Sequence, residues 1–358
     1  MGVTDNPHPK GDLTLSAPKT PLSLIDFCHI YPGETARESM ARSVTLAQRA
    51  EELGYSRIWY SEHHNMKHIA SSAPAVLIAH IGAKTEKIRL GSGGVMLPNH
   101  SPYVVAEQFG TLAELYPDRI DLGLGRAPGT DMNTLGRALR RDANAADNFP
   151  QDIMELEGYL AGRSRIPGVE AIPGAGTNVP LYILGSSLYG ATLAAQLGLP
   201  YSFASHFAPT HLEHAVSTYR ENFQPSEKLA EPYVIAAVNV TAADTHEDAV
   251  RQLQGVYRER VRSMAGRGRF LTDEQLDGII ESHHGRQIID MLRYTAVGTR
   301  DQISGYLEDF TKTAQADELM ISLQATSQQE AMRGMDILAE AWELDPAHTA
   351  GAPGVQRA

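Results

Sequence analysis

Leu22-Ser-Leu-Ile-Asp-Phe-Cys-His-Ile30, followed by Thr35–Leu53 and then by Ser56-Arg-Ile-Trp-Tyr-Ser61, reads as strand, helix, strand. The outer segments are short apolar runs, too brief for helices and rich in residues that suit strands. Between them Met40, Val44, Ala47 and Ala50 form one helical stripe, and Gly54 supplies the stop. The same unit recurs outward along the chain. Ile88–Leu97, Ile120–Gly125, Leu181–Leu184, Tyr201–Ala204, Tyr233–Val240 and Leu319–Leu323 read as further strands. Helices are predicted over Ala73–Thr85, Val104–Leu115, Tyr189–Leu197 and Leu212–Asn222, and near 131–142 and 149–161. A last helix carries Ala331, Met335, Leu338 and Trp342. Parallel neighbours need crossover connections, so eight strands, each followed by helix, predict an α/β fold of the closed (β/α)8 TIM-barrel type. An open doubly wound sheet is the alternative.

Surplus chain falls at 129–179 and 242–296, as insertions after strands 4 and 7, where barrel loops build an active-site face. In the second insertion, Gly266-Arg267-Gly268-Arg269 and His283-His284 suit either a moving lid or a surface ornament. Residues 1–20 and 346–358 read as flexible ends around one domain at 21–345. Of 358 residues, 42% are hydrophobic and 21% charged, a composition that argues against disorder. Lys and Arg number 31 against 43 Asp and Glu, a net charge of -12, so no global basic field exists to attract nucleic acid or anionic lipid. Cys28 is the one cysteine, which excludes an intrachain disulfide and a thiolate-built zinc site. With no apolar leader and no run of about 18 apolar residues, the expectation is a cytoplasmic protein.

Several stretches carry possible chemistry. Glu62-His63-His64 lies just past the second strand, and a histidine there is either a proton manager or a satisfied structural residue. His64 and His68, four apart, offer a metal reading. Gly91, Gly93 and Gly94 interrupt an apolar strand, which suits either a flat ligand against the backbone or a crowded barrel corner. Gly123-x-Gly125-x-x-Pro128 is half of a dinucleotide fingerprint, but Pro128 stands where the last glycine belongs, so a Rossmann reading fails. Arg126, at a strand end, either clamps a phosphate or pairs with Asp131. Ser186-Ser187 opens a helix and is either an anion site or an ordinary cap. Val297–Asp301 reads as another helix start.

Taken jointly, five segments resemble the bacterial luciferase-like flavin-dependent monooxygenases, in particular their non-luminescent, single-subunit branch. They are Trp59-Tyr-Ser-Glu-His-His64, Ile88-Arg-Leu-Gly-Ser-Gly-Gly-Val-Met-Leu-Pro-Asn-His-Ser-Pro102, Val105-Ala-Glu-Gln-Phe-Gly-Thr-Leu112, Tyr116-Pro-Asp-Arg-Ile-Asp-Leu-Gly-Leu-Gly-Arg-Ala-Pro-Gly129 and Leu184-Gly-Ser-Ser187. The resemblance implies reduced FMN at the C-terminal mouth of the barrel, supplied by a separate NAD(P)H:flavin reductase. O2 would add at flavin C4a, and one oxygen atom would pass to a small organic substrate. His63 would support the peroxyflavin. Gly93 and Gly94, joined by a non-proline cis peptide, would lie beneath the isoalloxazine. Arg126, Ser186 and Ser187 would hold the flavin phosphate, and Asn99 would meet the flavin edge. Gly125 stands where light-emitting members carry a reactive thiol, which argues against light emission.

Other readings stay open: an F420-dependent hydride-transfer oxidoreductase on the same barrel, a non-catalytic flavin-binding protein, and a metal-dependent barrel hydrolase. Relatives imply a homodimer. Ala75, Ala79 and Ala83, spaced by four on the second helix, suit close packing either across such a dimer or onto the barrel itself. Tyr159, Met264, Phe270 and Met291, all in the insertions, make an apolar substrate plausible.

Overall fold

Short apolar strands separated by amphipathic helices bury their backbone groups by pairing sideways in parallel, and here the pairing closes on itself. The computed structural model describes residues 19–348 apart from 132, 143 and 267–269. Its strands are β1 (Leu22–Asp26), β2 (Arg57–Tyr60), β3 (Arg89–Met96), β4 (Ile120–Gly125), β5 (Leu181–Gly185), β6 (Tyr201–Phe203), β7 (Val234–Ala242), β8 (Thr295–Gly298) and β9 (Glu318–Leu323). β1 to β7 pair in succession, β7 pairs with β9, and β9 returns to β1, giving a closed ring of eight parallel strands. The predicted (β/α)8 barrel is therefore present. β8 is a correction. The stretch read as a helix start first forms a ninth strand outside the ring, parallel to Asn239–Ala242 of β7, and its helix begins at Arg300.

The helices follow from local signals. In α1 (Ala36–Leu53), Thr35 and Glu38 form a reciprocal capping box, and Gly54 ends the helix at φ +92°. α2 (Pro74–Gly82) and α3 (Pro102–Leu115) each begin at proline, whose missing N–H costs nothing there. Ala75 and Ala79 pack on the barrel core, and the Tyr116 hydroxyl donates to the Ala79 carbonyl at 2.7 Å, so internal packing uses most of the small-residue stripe. The first insertion holds only short turns, Thr134–Ala138 and Ala145–Asn148, before α4 (Phe149–Leu160), so the helix predicted near 131–142 shrinks to one turn. α5 (Leu188–Leu197) and α6 (Leu212–Asn222) follow β5 and β6. The second insertion is helical, with α7 (His246–Ala265), α8 (Asp273–Glu281) and α9 (His283–Asp290) closing over their own small core of Val261, Leu276 and Ile288. Arg267, Gly268 and Arg269 of the expected lid lie outside the described residues. α10 (Arg300–Thr313) and α11 (Gln328–Trp342) complete the ring.

Inside the barrel, the layer at the strand N-termini is ionic. Arg57 on β2 pairs with Asp121 on β4 at 2.7 Å and with Glu318 on β9 at 2.8 Å, all with wholly buried side chains. Arg57 also donates to the Tyr182 hydroxyl at 2.7 Å, and the Tyr233 hydroxyl donates to Glu318 at 2.7 Å. Arg89 pairs with Asp121, and the Ser23 hydroxyl donates to Glu318. Burial pushes the Asp121 carboxyl up, but Arg57 and Arg89 outweigh it and hold the group below its ordinary range. Trp59 sits on this layer and explains one glycine: a Cβ at Gly91 would fall 2.7 Å from its ring. The bottom of the barrel is thus plugged, which leaves the other end for ligands.

Candidate functional site

The loops past the C-terminal strand ends are stitched together by side chains. Glu62, just beyond β2, is buried and accepts hydrogen bonds from His64 Nε2 and His100 Nε2, each at 2.8 Å, and from the Met96 backbone N–H at 3.0 Å. Burial alone would raise its pKa; the two histidine bonds reverse this and hold it at about 2. Asn99, past β3, donates to the Pro128 carbonyl at 2.9 Å and accepts from Arg141 at 3.0 Å. Its amide ties two loops together. The Gly93–Gly94 peptide is cis, as the resemblance implies. A Cβ at Gly94 would lie 2.6 Å from the Gly123 carbonyl oxygen, and one at Gly93 would lie 3.0 Å from Trp59 Cβ, so close strand packing also demands these glycines.

At β4 and β5 a cationic corner forms. The exposed Arg126 guanidinium stacks on Tyr189, 4.0 Å from the ring centroid, and Tyr189 is the second residue of α5. This contact carries the β4 end onto the N-terminus of α5, where Ser186 and Ser187 lie. Ser187 is the N-cap, yet its hydroxyl makes no capping bond, so the ordinary-cap reading does not use it. Arg126 makes no ion pair among the described residues, because Asp131 instead accepts from Asn65 and Thr134. Arg141 adds a second guanidinium, donating to the Arg126 carbonyl at 3.3 Å. Burial and the neighbouring Arg126 both lower its pKa. Two guanidinium groups, a free hydroxyl and unsatisfied helix N–H groups make a site for an anion.

Across the mouth is a basin of histidines. The Phe27 ring meets His29, His63 and His206 at centroid distances of 5.4, 5.8 and 5.9 Å. Among the described residues, His63 Nδ1 and both ring nitrogens of His206 are buried without a partner. Burial, aided by neighbouring positive groups (His68, Arg42 and Arg260 at His29, His64, His68 and Arg260 at His63, Arg260 at His206), brings His29 and His63 down to about 4 and His206 down to about 3. All three are therefore neutral at pH 7. Each lies three residues past the end of its strand (β1, β2 and β6), a regularity that would have exposed His29 and His206 to a reader of the sequence. His64 is committed to Glu62, and among the described residues no group of three His, Cys, Asp or Glu is arranged to hold a metal ion. Of the apolar residues noted in the insertions, Tyr159 is buried against Tyr103 on α3, while Met264 and Phe270 face solvent.

These three histidines fix a pH response. Their folded pKa values are depressed, so the unfolded chain takes up protons first as pH falls below about 6.5, and stability drops towards pH 4. Urea unfolding at pH 7.5 and pH 4.5 should differ by at least ~2 kcal/mol. The gap should shrink in His206→Phe; an equal gap in that variant refutes the assignment to His206.

The model of the luciferase-like monooxygenase family matches residues 22–317. A luciferase-like monooxygenase of Escherichia coli (strain K12) is 43% identical over 317 residues, 88% of this chain and 95% of that protein. An N-acetyl-S-alkylcysteine monooxygenase of Bacillus subtilis (strain 168) is 34% identical over 343 residues, covering 89% and 97%. The crystal structure of apo-MsnO8 superposes with a TM-score of 0.83 at 34% identity, over 92% of this chain and all of that one. No helix of the described residues is long and apolar enough to cross a membrane.

Proposed function

Because this chain belongs to the luciferase-like monooxygenase family and is an oxidoreductase, we propose that it works with reduced FMN. In this reading a separate NAD(P)H:flavin reductase supplies the FMN, and one oxygen atom of O2 passes to a small organic substrate. The observation that carries this reading is the Arg126–Tyr189 stack, which sets an unpaired guanidinium over the helix end marked by Ser186 and Ser187. That corner suits a terminal phosphate monoester. The unpartnered nitrogens of His63 and His206 suit a polar ring edge reaching across the mouth. When bound, the flavin supplies the oxygen chemistry, and the protein supplies position, hydrogen bonds and exclusion of water. His63, kept neutral by burial, offers Nδ1 as a site from which a proton is held or passed on. Glu62 fixes the neighbouring His64 and so the direction in which the loop leaves β2. Phe27 backs the histidines with an apolar ring that keeps bulk water out.

Titrating the protein with FMN, riboflavin and F420, followed by flavin absorbance and fluorescence, tests the reading. FMN should bind, and Arg126→Ala should weaken it roughly 10- to 100-fold, the loss of one or two charge-assisted hydrogen bonds. Riboflavin, which has no phosphate, should bind wild type and variant alike. Binding of F420 without FMN would overturn the proposal in favour of hydride transfer. FMN binding with no oxygen uptake on addition of a reductase and NADH would make the protein a carrier.

A further inference from the structure

We propose that the mouth holds a second anion site, centred on Arg260, which takes the carboxylate of an organic-acid substrate. This rests on the monooxygenase reading and adds a charge to the substrate. α7 carries four arginines among its described residues, and three of them have acidic partners. Arg251 pairs with Asp248 at 2.6 Å, Arg258 with Asp277 at 2.6 Å, and Arg262 with Glu259. Arg260 makes no hydrogen bond or ion pair among the described residues, and its Nε is buried without a partner. Nearby acids are already engaged, Glu259 by Arg262 and Glu62 by His64 and His100. The residues 267–269, next along the chain, are Arg, Gly and Arg, so they bring no counter-charge.

The placement suits a substrate rather than the cofactor phosphate. α7 packs against β7 and β8, and a Cβ on its Gly255 would lie 3.1 Å from Thr326 Cγ2, in the loop that leaves β9. β9 stands four strands round the ring from β4, which bears Arg126. From that side Arg260 bears on His29, His63, His68 and His206, whose depressed pKa values reflect its charge in part. The three histidines around Phe27 stay neutral, and Arg260 is the one permanent cation that acts on all three, with Arg42 acting on His29 as well. A guanidinium does not shed its proton at working pH, and an Nε held out of water without a partner is costly, so an anion entering here relieves an existing penalty. Its planar fork matches a carboxylate in two parallel hydrogen bonds. Phe27, whose ring meets His63, presents an apolar surface beside these histidines for the body of such an acid.

Calorimetric titration of the protein, with and without FMN, using the straight-chain acids from butanoate to octanoate and their primary amides, decides the matter. At least one acid should bind wild type about 30-fold or more tightly than its amide, the usual scale for a buried charge pair. Arg260→Gln should erase that preference, and Arg260→Lys should keep part of it. FMN affinity should stay unchanged in both variants. If no acid outbinds its amide, or if the preference survives in Arg260→Gln, the site is refuted. Arg260→Gln should also unfold at the same or a higher urea concentration than wild type. A clear fall would show that a protein group already pairs with the guanidinium, and would refute the site as well. A wild type that fails to bind FMN overturns the flavin reading alone, because the flavin-free titration still reports on Arg260.

Discussion

His63→Ala is expected to lower oxygenation turnover by about 10²- to 10⁴-fold, the range for losing a positioned proton-transfer group, while FMN affinity changes only a few-fold. The argument is one of place and charge. His63 stands three residues past β2, its backbone N–H donates to the Ser71 carbonyl at 3.0 Å, and its ring packs on Phe27. Nδ1 has no partner among the described residues, so its hydrogen bond is open to whatever enters the mouth. Since burial brings the group down to about 4, its neutral form dominates from pH 5.5 to 8, and the wild-type advantage over His63→Ala should be flat across that range. Paired assays of substrate oxygenated and hydrogen peroxide released check this. The variant should consume O2 mainly as peroxide. Equal turnover and equal peroxide yield in the two proteins would remove His63 from the chemistry.

Arg57→Met is the second large effect, on stability. Methionine fills most of the same volume, but the change strands two buried carboxylates. Arg89 still faces Asp121, whereas Glu318 retains only the hydroxyls of Tyr233 and Ser23. Breaking a buried ionic group by removing one member costs about 3–5 kcal/mol. Urea unfolding at pH 7 should show that loss. The sign of the pH dependence follows from Asp121. In the wild type its lowered pKa gives stability that is complete above the ordinary carboxylate range and is lost as pH falls through the folded value. The variant lacks part of that contribution, so its deficit should narrow as pH falls below about 4. A deficit below about 1 kcal/mol at pH 7 would mean that water reaches the network.

The barrel was legible because each of its strands is a compact apolar run between helical stripes. Thr295–Gly298 escaped because four small or polar residues beside a capping threonine look like nothing but a helix start, and only the overhang of β7 makes them a strand. At the site, Arg126, Ser186 and Ser187 were visible one by one as residues at strand and helix ends. The Tyr189 ring that joins them was not, since a cation on an aromatic face leaves no spacing rule in a sequence. Glu62 was in view beside His63, but one of its two histidine bonds comes from His100, far along the chain past β3, where no local spacing points to it. Arg260 was hidden most deeply. It looks like three other arginines on α7, and only the count of their partners in three dimensions sets it apart.

β8 gives the second insertion an anchorage of its own. The chain leaves β7 at Ala242 and, after three helices, comes back alongside the same strand, with Ala243 N–H on the Gly298 carbonyl and Asn239 N–H on the Tyr294 carbonyl. Both ends of the excursion are clamped to one fixed rail, so adding or trimming residues between them costs only the slow logarithm of loop length and leaves barrel closure untouched. The segment that brings Arg260 to the mouth is in that sense an exchangeable cassette: a lineage could retool what it oxygenates by rewriting 243–294 while the flavin chassis stays as it is.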